Sequence, residues 1–381
     1  MRNTTDAIKA TGARSCLDCG KCTAVCPVAR ANDCFSPRRI VVGSVSGGHE
    51  EARKERQWDC LTCGLCSERC PSDIDYVDLT KIVRVEAHSA GEEGACAHGN
   101  TLQLLMRIMT SPELKQNRLE WLTSDLKISK KSDYLYFVGC IPYFDAFFAD
   151  LKVNCLEIAR STVKLLNAAG IEPMVLPDER CCGHDLYWAG DIENFEMLAR
   201  HNIAKITESG AKTVVTSCPE GAATLKLSYP EVAGGSLPFE VVHLTQFLDE
   251  QCSAGTLRFR KDGKLATFQD PCRLGRFLGV YEQPRNLLRG LFGDGYSDMP
   301  HSRNAAICCG TSGWMNCGIH SKAIQTQRLK EARSTGSELL VTACVKCQIH
   351  FACAMKDVDF PEEARIQVED LAVLAASSLE K

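Results

Sequence analysis

The chain has 381 residues, enough for two or three domains, with ordinary hydrophobic (45%) and charged (24%) content and a formal net charge of -4. That balance gives no sign of a nucleic-acid partner, and no run of about 18 apolar residues predicts a membrane span. Cysteine is the outlier at 23 residues. The opening "MRNTTDAIKATGARSC" has no apolar export segment, so a reducing cytoplasmic setting is expected, where many cysteines point to metal rather than to disulfides.

The first elements are two matching runs, "CLDCGKCTAVCP" and "CLTCGLCSERCP". They hold Cys16, Cys19, Cys22 and Cys26, then Cys60, Cys63, Cys66 and Cys70, each run ending in proline. This spacing suits two 4Fe–4S cubanes, each taking three thiolates from one run and the last from the other. One set is therefore Cys16, Cys19, Cys22 and Cys70, and the other is Cys60, Cys63, Cys66 and Cys26. Zinc does not call for a doubled four-cysteine run of this kind. Between the runs a short helix is expected from Ser36–Pro37, followed by a polar stretch, and Cys34 is read as a packed thiol. After the second run, "DIDYVDLTKIVRVEAHSAG" predicts an amphipathic helix ending near Gly91.

The region 96–132 reads as a connector whose one helix is "SPELKQNRLEWL", with Ser111 as cap and Pro112 in its first turn. Beyond it the chain repeats. In the first copy, "DYLYFVGC" is a strand ending at Cys140, and "CLEIARSTVKLLNAAG" is a helix stopped by Gly170. The strand "IEPMVLP" then leads to "CCG" at Cys181 and Cys182, and a helix and the strand "KTVVTSC" reach Cys218. In the second copy, "LATFQDPC" ends at Cys272, a helix surrounds "QPRNLLRGLFG", and "CCG" recurs at Cys308 and Cys309. The helix "SKAIQTQRLKEARSTG" and the strand "ELLVTAC" then open "CVKC" at Cys344 and Cys347. The gaps are 40 and 35 residues before the pair, and 35 and 34 after it. Alternating strands and helices predict two α/β units with parallel strands and with cysteines at strand C-terminal ends, where ligands gather. The expected fold is thus a helical two-cluster ferredoxin domain (1–95), a connector (96–132), and two repeated α/β units (133–250 and 251–381). Cys155 is assigned to a helix core, while Cys96, Cys252, Cys317 and Cys353 stay unassigned. No G-x-G-x-x-G follows a strand and no G-x-x-x-x-G-K-[ST] occurs, so hydride chemistry would come from a partner.

The double "CCG" layout resembles the catalytic part of heterodisulfide reductase, and "SPRRI" with "WDCLTCGLCSERCP" resembles that enzyme's small ferredoxin-type subunit. Together they look like the fused form. The resemblance implies a non-cubane 4Fe–4S cluster held by the complete five-cysteine motif, here Cys272, Cys308, Cys309, Cys344 and Cys347, as the catalytic centre. The first copy has Gly221 where the fifth cysteine would stand. Its Cys140, Cys181, Cys182 and Cys218 suit zinc or a further iron–sulfur cluster. His184 is expected to be hydrogen-bonded rather than metal-bound.

The function implied is that of an iron–sulfur subunit of a heterodisulfide reductase-like oxidoreductase, passing electrons between a flavoprotein or other redox subunit and the C-terminal cluster. The alternatives are a terminal reductase of a small disulfide, or the iron–sulfur subunit of a 2-hydroxy-acid or glycerol-3-phosphate dehydrogenase. Arg273, Arg276 and Lys346 read either as cations that stabilise a reduced cluster or hold an anionic substrate, or as solvated surface charge, and His301 and His320 as candidate proton donors.

Overall fold

The computed structural model describes residues 4–46 and 56–380. The polar stretch expected after the first run falls on residues 47–55, outside the described residues.

The N-terminal part is helical. Each cysteine run turns at a glycine with a left-handed backbone, Gly20 (φ 76°) and Gly64 (φ 78°), which starts the short helices Lys21–Val25 and Leu65–Glu68. A side chain is disfavoured in that backbone region. The expected helices are present at Pro37–Ser46 and Tyr76–Ser89. The second is capped by Asp75, whose carboxylate accepts from the Asp78 amide, and it buries Tyr76, Leu79, Val83 and Ala87 on one face. That face also buries Arg84, which donates to the carbonyls of Gln57, Cys60 and Trp188 and so ties this part to the first α/β unit.

The connector differs from expectation. Its helix is Thr101–Ile108, and 111–122 runs irregularly. Two inward side chains account for this. The Arg118 guanidinium donates to the Gly139 carbonyl and to Glu179, and Trp121 is buried in the first unit's core. A regular helix here would have to give up those contacts, and tertiary packing overrides propensity.

Each α/β unit carries three parallel strands. In the first, β1 (Tyr134–Tyr136), β2 (Thr213–Thr216) and β3 (Glu240–His243) lie in that order, with Tyr134 opposite Thr213 and Thr213 opposite Glu240. In the second, β4 (Ala266–Gln269), β5 (Leu339–Thr342) and β6 (Gln367–Asp370) repeat the arrangement. The segment "IEPMVLP" makes only an isolated bridge between Met174 and Leu135. Pro173 and Pro177 flank that bridge and lack the amide a ladder needs. The two units share one core: the helix Cys155–Ala168 of the first packs on Leu371–Ser377 of the second. The N-terminal part shares a second core with the far face of the second unit, where Ile40, Leu79 and Val83 join Leu340, Phe351 and Ala354.

Candidate iron–sulfur sites

The parallel strands end on one edge of each sheet, and the cysteines follow them: Cys218 after β2, Cys272 after β4 and Cys344 after β5. In the N-terminal part, one cavity is lined by Cys16, Cys19, Cys22, Cys66 and Cys70, and a second by Cys26, Cys60, Cys63 and Cys66, so that Cys66 is common to both. Each cavity thus includes three cysteines of one run and the last of the other. Asp18 and Thr62 adopt left-handed backbone (φ 52° and 46°) and aim their amides at Cys16 Sγ (3.4 Å) and Cys60 Sγ (3.3 Å). Donors to sulfur of this kind favour thiolate. Cys19 is exposed, whereas Cys26, Cys60, Cys63 and Cys66 are buried. Burial pushes the Cys66 thiol up, and Cys60 and Cys63 add to the push. So dense a set of thiolates is favourable only around a cation, which is what a metal cluster supplies. The donor set fits that group.

The second unit brings its five cysteines into one chain of sulfur contacts: Cys272 to Cys308, Cys308 to Cys309, Cys309 to Cys347, and Cys347 to Cys344. Cys308, Cys309, Cys344 and Cys347 are buried, and Cys272 is partly so. Hydrogen bonds from Cys308 and Cys347 draw the Cys309 thiol down to about 6, while Cys308 and then burial push Cys272 up. Cys344 caps the helix Val345–Met355, and Cys347 sits in its first turn. One turn later, His350 Nδ1 lies 3.3 Å from Cys309 Sγ. Sequence reading passed over this histidine; its position three residues after Cys347 was the available signal.

In the first unit, Cys140, Cys181, Cys182 and Cys218 line a cavity together with Gly221, His184, Asp185, Glu220 and Lys346. Cys181 contacts both Cys140 and Cys182. Four thiolates in one cavity fit a tetrahedral ion or a cubane. His184 is hydrogen-bonded, to Asp185 (2.8 Å) through Nδ1 and to Arg273 (2.9 Å) through Nε2. His184, Asp185 and Glu220 are close enough to hold an ion of their own, but the Lys346 ammonium already bridges the two carboxylates, at 2.5 and 2.7 Å from Asp185 and 2.5 Å from Glu220.

The three cations are therefore neither surface charge nor free. Arg273 donates to the Thr62 carbonyl (2.7 Å), Thr62 Oγ1 (2.7 Å) and His184, and it stacks on Trp188 and Phe277. Arg276 donates to the Cys63 carbonyl (2.5 Å) and the Ala306 carbonyl (2.7 Å). Those bonds join the second ferredoxin run to the turn that follows Cys272, and the Cys308 thiol lies within electrostatic reach of Cys63. His301 is exposed and bonded to Glu331, and His320 bonds the Ala31 carbonyl. Cys155 is fully buried, as expected, but Cys34 is exposed rather than packed.

This fold and these sites define an iron–sulfur component of an oxidoreductase. The matching family models are a 4Fe-4S dicluster domain over residues 12–74 and a cysteine-rich domain over residues 134–226 and 266–352. Similar proteins include a subunit of dihydromethanophenazine:CoB--CoM heterodisulfide reductase from Methanosarcina barkeri, 30% identical over 96% of this chain and 93% of that protein. Its counterpart from Methanosarcina acetivorans gives the same identity and coverage. An EtfAB:quinone oxidoreductase of Syntrophomonas wolfei is 25% identical over 92% of this chain and 56% of its own length. A crystal structure of a hypothetical protein from Helicobacter pylori shares the fold, with a TM-score of 0.51 at 12% identity over 91% of this chain and 69% of that one. The chain belongs to the same family of iron–sulfur proteins as these two Methanosarcina heterodisulfide reductase subunits. Among the described residues, no helix is long and apolar enough to cross a membrane.

Proposed function

We propose that the chain is the electron-transferring and catalytic subunit of a heterodisulfide reductase-like complex, with a flavoprotein partner at its N-terminal part and its chemistry at the five-cysteine site. Cys16, Cys19, Cys22 and Cys70 would hold one cubane, Cys26, Cys60, Cys63 and Cys66 the other, and Cys272, Cys308, Cys309, Cys344 and Cys347 a non-cubane cluster. When bound, these groups supply one-electron transfer, and the last supplies iron able to bind substrate sulfur. Cys140, Cys181, Cys182 and Cys218 would hold zinc or a further cluster.

The observation that carries this reading is the pair of bonds from Arg273 and Arg276 to Thr62 and Cys63. They hold the second cysteine run against the turn that follows Cys272, which supports electron passage from one site to the other. The chain's own residues supply the rest. Exposure of Cys19 leaves the first cysteine run open to a partner. Burial of Cys26, Cys60, Cys63 and Cys66 and of Cys308, Cys309, Cys344 and Cys347 keeps water from them. The relatives named heterodisulfide reductase point to a small disulfide as the oxidant. With Gly221 in place of a cysteine, only one of the two copies offers five thiolates to a disulfide's sulfurs.

The test uses chain purified without oxygen. Added NADH or NADPH should leave its visible absorbance unchanged, and a reduced flavodoxin-type flavoprotein should bleach it. Direct oxidation of NADH or NADPH by the isolated chain would contradict the partner reading.

A further inference from the structure

The two copies differ at a second place besides Gly221. Counting six residues on from Cys344 reaches His350, while six on from Cys218 reaches Thr224, whose hydroxyl only bonds the Glu220 carbonyl of its own helix. The copy with five cysteines therefore has an imidazole that the four-cysteine copy lacks.

His350 is 4% exposed. Its Nδ1 lies 3.3 Å from Cys309 Sγ, Nε2 has no hydrogen-bond partner among the described residues, and the ring meets Trp314 edge-on at 5.2 Å. A thiolate can only accept, so with Cys309 as a ligand one tautomer satisfies the contact: Nδ1 carries the proton and Nε2 is a bare acceptor. Leaving an acceptor unpaired in an apolar setting is the smaller penalty, because the alternative tautomer would orphan a donor and repel the sulfur. Trp314 holds the ring at that angle. It is buried, stacked on Phe148, and kept in a left-handed backbone (φ 56°), a strain that persists only where the surroundings enforce it.

We propose that His350 is a positioning residue of the five-cysteine site, donating from Nδ1 to Cys309 Sγ and so raising the reduction potential of the group held there. A hydrogen bond to a ligand sulfur withdraws electron density and favours the reduced state. The inference rests on the reading that Cys309 is a cluster ligand.

The experiment is an EPR-monitored redox titration of the whole chain, purified anaerobically, as wild type, His350→Leu and His350→Gln. The N-terminal cubanes serve as internal reference. The C-terminal signal should move to more negative potential in His350→Leu and return part of the way in His350→Gln, which keeps an N–H donor, while the cubane potentials stay put. Wild-type chain labelled with 15N-histidine should show a nitrogen hyperfine coupling on the C-terminal signal that both variants lose. If His350→Leu loses its iron, the His350→Gln potential and the labelled wild type decide. An unmoved C-terminal potential, a common shift of all signals, or no nitrogen coupling in the wild type would overturn the proposal. Absence of any third iron signal in wild type would be a different result: it would remove the five-cysteine cluster itself, and this proposal with it.

Discussion

Lys346 and Glu220 are equivalent residues of the two copies, the second position after Cys344 and after Cys218, and their side chains meet at 2.5 Å across the interface between the units. The repeat has thus placed opposite charges at one position, and the two copies pair there. Asp185 completes the group. Burial alone would raise its carboxyl, but the Lys346 ammonium holds it well below the usual carboxylate range. Removing one partner of a buried pair leaves an uncompensated charge, which costs roughly 3–5 kcal/mol. Lys346→Met should therefore lower the anaerobic unfolding free energy by about that amount. An unchanged value would mean the pair is not a lock between the units.

Gly221 has a helical backbone, and a Cβ there would meet Thr216 Oγ1 at 3.5 Å and Cys218 Cβ at 3.6 Å, both ordinary contacts. A cysteine fits without moving the chain, and leaving glycine inside a helix gains up to about 1 kcal/mol. Gly221→Cys should fold at least as stably as wild type and give the first unit a fifth thiolate. The expected result is added iron and an EPR signal resembling that of the C-terminal site. Unaltered metal content would show that the first cavity does not select its occupant by thiolate number.

Arg276 links the second cysteine run to the second unit through the carbonyls of Cys63 and Ala306. Hydrogen bonds from a charged donor contribute about 1.5–3 kcal/mol each. Arg276→Ala should cost at least about 2 kcal/mol of stability. It should also slow reduction of the C-terminal site relative to the cubanes in rapid mixing with dithionite, because the two sites lose their fixed spacing. Equal rates in variant and wild type would argue against that spacing role.

Asp370 caps the last helix by accepting from the Ala372 amide, while its Oδ2 is buried without a partner among the described residues. Burial pushes this carboxyl up to about 8. A folded value above the unfolded one, near ~3.9, favours the neutral form, so its stabilisation is complete at acid pH and is lost as pH rises towards 8. Asp370→Asn keeps the cap and cannot ionise. It should be more stable than wild type at pH 8, by up to about 5 kcal/mol, with the gap closing as pH falls towards 4. A gap that does not depend on pH would show that Asp370 is not the titrating group.

The cysteine runs, the repeat and the helices at Tyr76–Ser89 and Cys155–Ala168 were legible because each is encoded within a few turns of chain. The expected doubling of strand–helix units was legible for the same reason, though the short strands β3 and β6 and the lone bridge at Met174 were not. Arg273 was unreadable as a buried group, since its partners Thr62 and His184 lie 211 and 89 residues away. Lys346 likewise finds Asp185 at a separation of 161 residues. A charge beside a cysteine looks alike in sequence whether it faces water or a carboxylate brought in by the fold. The connector helix failed because Arg118 and Trp121 answer to the core of another segment.

Cys272, Cys308, Cys309, Cys344 and Cys347 are proposed to hold the active cluster. The most direct test is iron and sulfide content with EPR on anaerobically purified wild type beside Cys347→Ala. About twelve or more irons per chain, with one signal lost in the variant and the two cubane signals intact, is the predicted result. About eight irons, with spectra identical in the two proteins, would contradict it and leave the chain a two-cubane relay.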